Sequence, residues 1–260
     1  MSKKVSDYVS IVSTCCARLF NDKHQGLWND IQKYYPDVNY YFYHENSYEN
    51  KTSGQSIDFD SLDIPSSYHI YDLFKEFGDL EDFLATSKFN TCGSYDKADM
   101  NQGYWKANSL YWFRKAPSIY HAAKQCKTPL LIFLDADQNI TPVGSNTSED
   151  EYTIDDLYIE WASKHDVLSR HRPGLWTETG HIVFNLDAGG KEFIERFYDF
   201  YKSGKVFELY RWDDCWVFDT LTKEMRINNG PLSKKTGAPE DFEGIVDHHK
   251  GKWQHIRVRK

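Results

Sequence analysis

The feature that most constrains this chain is the run TPLLIFLDAD at residues 128–137, five unbroken apolar residues that stop abruptly in acids. The apolar stretch is too short for a buried helix, and it lacks the alternation of a strand with one wet face. A strand covered by helices on both faces of a parallel sheet is expected to read this way. The opening of the chain agrees. DYVSIVST (7–14) reads as a strand, NDKHQGLWNDIQKYYP (21–36) has helical spacing with a stop at Pro36, and VNYYFYHEN (38–46) is again β-rich. Strand, helix and strand in succession make a βαβ unit, so the expected class is α/β with a mostly parallel central sheet flanked by helices.

Downstream, residues 46–66 are rich in Ser, Asn, Asp and Gly and read as a loop, and 70–90 return to helical spacing. A polar stretch from Asn90 to Asn108 precedes a helix that includes Pro117, a residue tolerated near a helix start. SEDEYTIDDLYIEWASKHD reads as a loop and a helix, DVLS and HIVFNL as strands, KEFIERFYDFYKSG as an amphipathic helix stopped by Gly204, and WDDCWVFDTLTKEM as a last helix. No repeat, low-complexity tract or linker divides the chain, so a single domain over 1–260 is expected.

Composition narrows the function. Lys and Arg number 31 against 39 Asp and Glu, giving a net charge of −8, which disfavours a protein whose main task is gripping nucleic acid. The C-terminal stretch KGKWQHIRVRK is nonetheless basic, and reads either as a solvated tail or as part of an anion site with Lys250 and Lys252. Aromatic residues make up 16% of the chain, a surplus that serves core packing and also stacking on sugars or bases. No apolar run approaches the roughly 18 residues of a membrane span, and MSKKVSDYVSIVSTCC reads as a first strand in place of a signal peptide. Five cysteines without CxxC spacing argue against a disulfide framework and a structural zinc site, and fit reduced thiols in a cytoplasm.

Asp135 and Asp137 carry the main chemical signal. Ligands of open α/β sheets bind beyond the carboxyl ends of the strands, and residues i and i+2 point to the same side. Two such carboxylates either share a hard cation, Mg²⁺ or Mn²⁺, or merely cap a strand. FEGIVDHHKGKW offers imidazoles, a permissive Gly and lysines suited to a metal-bound diphosphate. WTETGHIVFN, with Glu178, and the pair Asp213 and Asp214 can place a carboxylate beside a hydroxyl, or can equally be a turn and a helix N-terminus.

In this order, YVSIVST, KAPSIYHAAK, LLIFLDAD, WTETGHIVFN, WDDCWVFD and DHHKGK resemble the GT-A class of nucleotide-sugar glycosyltransferases, and within it a group of small glycosyltransferase-like proteins encoded by bacteriophages. The resemblance implies a GT-A-like, Rossmann-like domain with a nucleotide-binding half over 1–137 and an acceptor-binding half over 138–260. It implies Asp137 as principal metal ligand, Asp135 nearer the ribose and metal, and His248, in preference to His249, completing the coordination of Mn²⁺ or Mg²⁺. Lys250, Gly251 and Lys252 would face the diphosphate, Thr14 and Cys15 the nucleotide base, and Arg114 and Lys115 base or phosphate. Asp214 matches the acid of a recurrent His-Asp pair, although here Asp213 stands in the place of the His. Asp214, Asp213 and Glu178 are the candidates for a general base. The donor implied is a nucleoside-diphosphate sugar, most commonly of uridine. The acceptor implied is a hydroxymethylated pyrimidine of phage DNA or a glycan, with the host cytoplasm as location. Two rivals remain. One is a haloacid-dehalogenase-type phosphatase with Asp135 as nucleophile and Asp137 as acid/base, and the other is a non-catalytic carbohydrate-binding protein.

Overall fold

Strand β1 (Val9–Thr14) sends Val9 and Ile11 to one face of a sheet and Val12 to the other, as the two-residue period of a strand requires. The computed structural model that places it describes residues 4–78, 80, 112–140, 151–152, 154–172, 176–209 and 211–232, with backbone only at 139, 151 and 152. A π-helical turn, Phe20–His24, leads into helix α1 (Gln25–Tyr34), whose Leu27, Trp28 and Ile31 are buried on one side. Strand β2 (Asn39–His44) follows and pairs parallel to β1. This is the expected βαβ unit.

The next segment departs from expectation. Residues 46–52 form helix α2 (Asn46–Thr52) where a loop was expected. A tertiary contact overrides the weak local propensity: the Glu49 carboxylate accepts from the backbone N–H of Ala17 at 2.7 Å, and Gly54, at φ +70°, closes the helix with its N–H on the Glu49 carbonyl. Residues from 70 were expected to be helical, yet β3 (Tyr68–Asp72) is a parallel edge strand on β2. Ile70, Leu73 and Phe74 fit a helical face, but Tyr68, Ile70 and Asp72 fit a strand equally well. Asp72 then caps the short helix α3 (Leu73–Glu76), accepting from the N–H of Phe74. Apart from Phe77, Gly78 and Leu80, the rest of that expected helix, and the polar stretch up to Tyr111, lie outside the described residues.

Helix α4 (Lys115–Gln125) holds Pro117 in its first turn and buries Ala116, Ile119 and Ala122. It packs on the sheet face opposite α1. Strand β4 (Leu130–Leu134) is wholly buried, with Leu130, Ile132 and Leu134 on the α1 face and Leu131 and Phe133 on the α4 face. Both faces are covered, which is why this run does not alternate in polarity. After a short parallel pair, β5 (Asn139–Ile140) with β6 (Glu151–Tyr152), come helix α5 (Asp156–Ser163) and strands β7 (Val167–Arg170) and β8 (Glu178–Asn185). Helix α6 (Gly190–Lys202) ends before Gly204 at φ +75°, helix α7 (Asp214–Glu224) starts from an Asp213 cap, and β9 (Asn229–Pro231) is an added strand that its Asn-Gly-Pro sequence does not announce.

Seven of these strands form one sheet in the order β3-β2-β1-β4-β8-β7-β9. Four of its pairings are parallel; β8 runs antiparallel to both β4 and β7. The chain lays β2 and β3 on one side of β1 and β4 on the other, so the strand order reverses between β1 and β4. A crevice opens at such a point beyond the carboxyl ends of the strands. Among the described residues no helix is long and apolar enough to cross a membrane.

Candidate functional site

The reversal sets Thr14 and Cys15, at the end of β1, beside Asp135 and Asp137, which follow β4 directly. Because β8 is antiparallel to β4, its first residues come to the same edge: the N–H of Asp135 donates to the Gly180 carbonyl at 2.7 Å. Gly180 leaves room here for side chains that a Cβ would displace. A Cβ on it would lie 2.7 Å from Glu178 Oε1, 2.9 Å from Asp135 Oδ2 and 3.1 Å from Gln138 Nε2. Three polar side chains therefore converge on one bare backbone position. Gln138 Nε2 is buried there without a hydrogen-bond partner among the described residues.

Lys115 organises the middle of the edge. Its ammonium lies 3.0 Å from each Asp135 oxygen, 2.6 Å from Asp214 Oδ2 and 3.4 Å from the Thr179 carbonyl. Burial pulls the Lys115 pKa down, but Asp135 and Asp214 outweigh it and hold the group charged, above its ordinary value. Burial pushes the Asp135 carboxyl up to about 7 against the pull of Lys115, with Asp137, Asp214 and Glu178 adding to the rise. The resemblance set Lys115 against the nucleotide; in the fold its protons face two carboxylates and a carbonyl.

Asp214 is buried and fully engaged, accepting from Thr179 Oγ1 at 2.6 Å and from the N–H of Cys215 at 3.0 Å besides Lys115. Asp213 is held by a bidentate Arg211 at 2.7 and 2.9 Å and caps α7. Glu178 accepts from the Gly180 N–H at 2.7 Å, and its other oxygen is 4.0 Å from Arg170. Of the three candidate bases, Glu178 has the longest contact to a cation, 4.0 Å to Arg170, against 2.6 Å for Asp214 and 2.7 Å for Asp213.

A divalent cation asks for accessible hard oxygens. Asp137 fits: its side chain is 28% exposed, and a cation already stands against it, Lys23 Nζ at 3.6 Å on the π-helical turn. Asp135 turns both oxygens to Lys115 but keeps 29% of its side chain exposed. Asp213, Asp214 and Cys215 also bring ligand atoms within 4.8 Å of one another, but Arg211 and Lys115 already neutralise the two acids, so this group fits a metal poorly. His248, His249, Lys250, Gly251 and Lys252 lie outside the described residues.

On the β1 and β2 side, Thr14 Oγ1 donates to the Tyr43 carbonyl at 3.1 Å, and burial pushes the Cys15 thiol up. Arg114 Nη2 meets Glu45 Oε2 at 2.9 Å. Sequence reasoning missed Glu45, although an acid one residue past the second strand of a βαβ unit is a signal of the same kind as Asp135. Burial pushes Glu45 up to about 7, outweighing Arg114, and Glu49 and Asp72 add to the rise. A carboxyl whose folded pKa is raised binds more protons folded than unfolded, so its contribution is greatest at low pH and is lost as pH rises through about 7. Thermal melts from pH 5 to pH 8 are therefore expected to show a decline in stability that Glu45→Gln flattens, by on the order of 1–3 kcal/mol across the range. Parallel curves for the two proteins would remove Glu45 as the source.

No protein-family model matches the chain, and no curated protein sequence matches it. Solved structures with similar folds include the glycosyltransferase GlyE of Streptococcus pneumoniae TIGR4, at 12% identity and a TM-score of 0.47, covering 89% of this chain and 46% of GlyE. The PaToxG glycosyltransferase matches at 13% identity and a TM-score of 0.39, over 86% of this chain and 69% of that one. The apo form of GlyE matches at 10% identity and 0.43, over 88% and 46%. The chain thus spans less than half the length of the GlyE chains.

Proposed function

We propose that the protein transfers a sugar from a nucleoside-diphosphate donor, a uridine diphosphate sugar, to an acceptor hydroxyl. The observation that carries this reading is the pair Asp135 and Asp137 at the reversal between β1 and β4, with Glu178 and Gly180 brought to them by β8. Asp137, with Asp135 behind it, would hold Mn²⁺ or Mg²⁺, which when bound offsets the charge of the departing diphosphate. Lys115 keeps Asp135 and Asp214 in fixed positions. Thr14, Cys15 and Arg114 line the base and ribose side, and His248, Lys250, Gly251 and Lys252 are assigned to metal and diphosphate from the sequence alone. Glu178 is the carboxylate assigned to the acceptor proton, because its second oxygen has only the 4.0 Å contact to Arg170. The phosphatase reading is disfavoured because a nucleophilic Asp135 would have to attack with both oxygens already bonded to Lys115.

The test is thermal unfolding with MnCl₂ and a panel of nucleoside diphosphates. A ligand that binds only the folded chain at ~100 times its Kd adds about 2.7 kcal/mol, a rise of ~5 °C or more for a domain this size. A rise with UDP that requires Mn²⁺ is the expected result. No rise with any diphosphate, together with turnover of p-nitrophenyl phosphate, would overturn the reading in favour of the phosphatase.

A further inference from the structure

We infer that the acceptor is an uncharged saccharide seated on the indoles of Trp176 and Trp216, an inference that rests on the glycosyl-transfer reading. Sheet order gives the first reason. β4 carries Asp135 and Asp137, and the nucleotide side, with Thr14 and the Arg114–Glu45 pair, lies towards β1 and β2. The acceptor side is then towards β8. Trp176 precedes Glu178 by two residues, about 7 Å of extended chain, so it continues past the acidic edge on that side. Helix α7 begins at the same place because Asp214 accepts from Thr179, and Trp216 lies in its first turn. The two half-buried indoles meet with ring centroids 4.3 Å apart and planes at 62°.

Charge gives the second reason. A polyanion such as a nucleic-acid strand needs cations that are not already spent. Here Arg211 lies 5.2 and 5.8 Å from the two rings but is forked onto Asp213. Arg172 donates to the carbonyls of Trp176 and Thr177 at 2.7 and 3.4 Å, and Lys115 is held by Asp135 and Asp214. Asp219 accepts from the Thr177 N–H at 3.1 Å and adds a further acid. Every described cation beside the indoles is therefore matched by an acceptor of the chain itself, while the electron-rich faces of indole rings suit the C–H groups of a sugar and the fixed carboxylates its hydroxyls.

The experiment is calorimetric titration of the full chain, without donor, with cellohexaose, chitohexaose and maltohexaose, and with an oligonucleotide containing 5-hydroxymethylcytosine. At least one saccharide is expected to bind. Trp176→Ala should weaken it about tenfold, equivalent to ~1.4 kcal/mol, while Trp176→Phe stays within about threefold. Both variants should keep the Mn²⁺-dependent rise with UDP. Silence of all three saccharides, equal binding by Trp176→Ala, or binding of the oligonucleotide alone would overturn the inference. Saccharide binding that depends on Trp176 in a protein indifferent to Mn²⁺ and UDP would support the platform and overturn only the transfer reading.

Discussion

Asp137→Ala is expected to lose about 10³-fold or more in sugar transfer while melting within a degree or two of the parent protein. The two halves of that expectation have separate physical causes. Asp137 lies past the end of β4, where its side chain keeps 28% exposure and its ion pair with the half-exposed Lys23 spans 3.6 Å. Such a pair contributes at most about 1 kcal/mol. Function is another matter, because Asp137 is 28% exposed and its ion pair is with Lys23 at 3.6 Å, whereas both Asp135 oxygens lie 3.0 Å from the buried Lys115. Removing it leaves no oxygen to share a cation with Asp135, whose own oxygens face Lys115. The Mn²⁺-dependent thermal rise with UDP should vanish along with turnover. Transfer at the parental rate by a folded Asp137→Ala protein would remove the metal reading of the Asp-x-Asp pair.

The contrast between Asp137 and its neighbours marks how far the sequence could be read. The parallel core was legible because β4, buried on both faces, carries a continuous apolar run, and because β1 and β2 are β-rich segments on either side of a helical one. The acids after β4 were legible for a related reason: an apolar run that ends in Asp-x-Asp places both at a strand's carboxyl end. What could not be read is what depends on contacts distant in sequence. Helix α2 exists through Glu49 reaching back to Ala17, 32 residues away, and β3 exists as a strand because β2 offers it a ladder. The site follows the same rule. Asp213 and Asp214 are adjacent in sequence and chemically identical, yet one is forked by Arg211 two residues before it and the other by Lys115 from α4. Spacing along the chain contains no trace of the second pairing. Glu45 was marked by its place after β2, but its pairing was equally hidden, since Arg114 comes from a different segment altogether.

Lys115→Met should be the most destabilising single change at this edge. The substitution keeps the length of the buried stem but deletes the ammonium that lies between Asp135 and Asp214. Breaking a buried ion pair by removing one partner costs about 3–5 kcal/mol, which corresponds to a fall in Tm of ~10 °C for a chain of this size. The loss should also grow with pH. Burial already pushes the Asp135 carboxyl up to about 7 against the pull of Lys115, and without that pull it moves further up. The folded variant then holds a proton that the unfolded chain releases above about pH 4, so its stability declines as pH rises through neutrality. Melts at pH 5 and pH 8 should consequently differ more for Lys115→Met than for the parent. Adding Asp214→Asn to Lys115→Met should recover part of the loss, because an amide beside Thr179 needs no counter-charge. Strict additivity in that double-mutant cycle, or a Lys115→Met protein as stable at pH 8 as at pH 5, would mean that the lysine is a packing residue and that the edge is held together by something else.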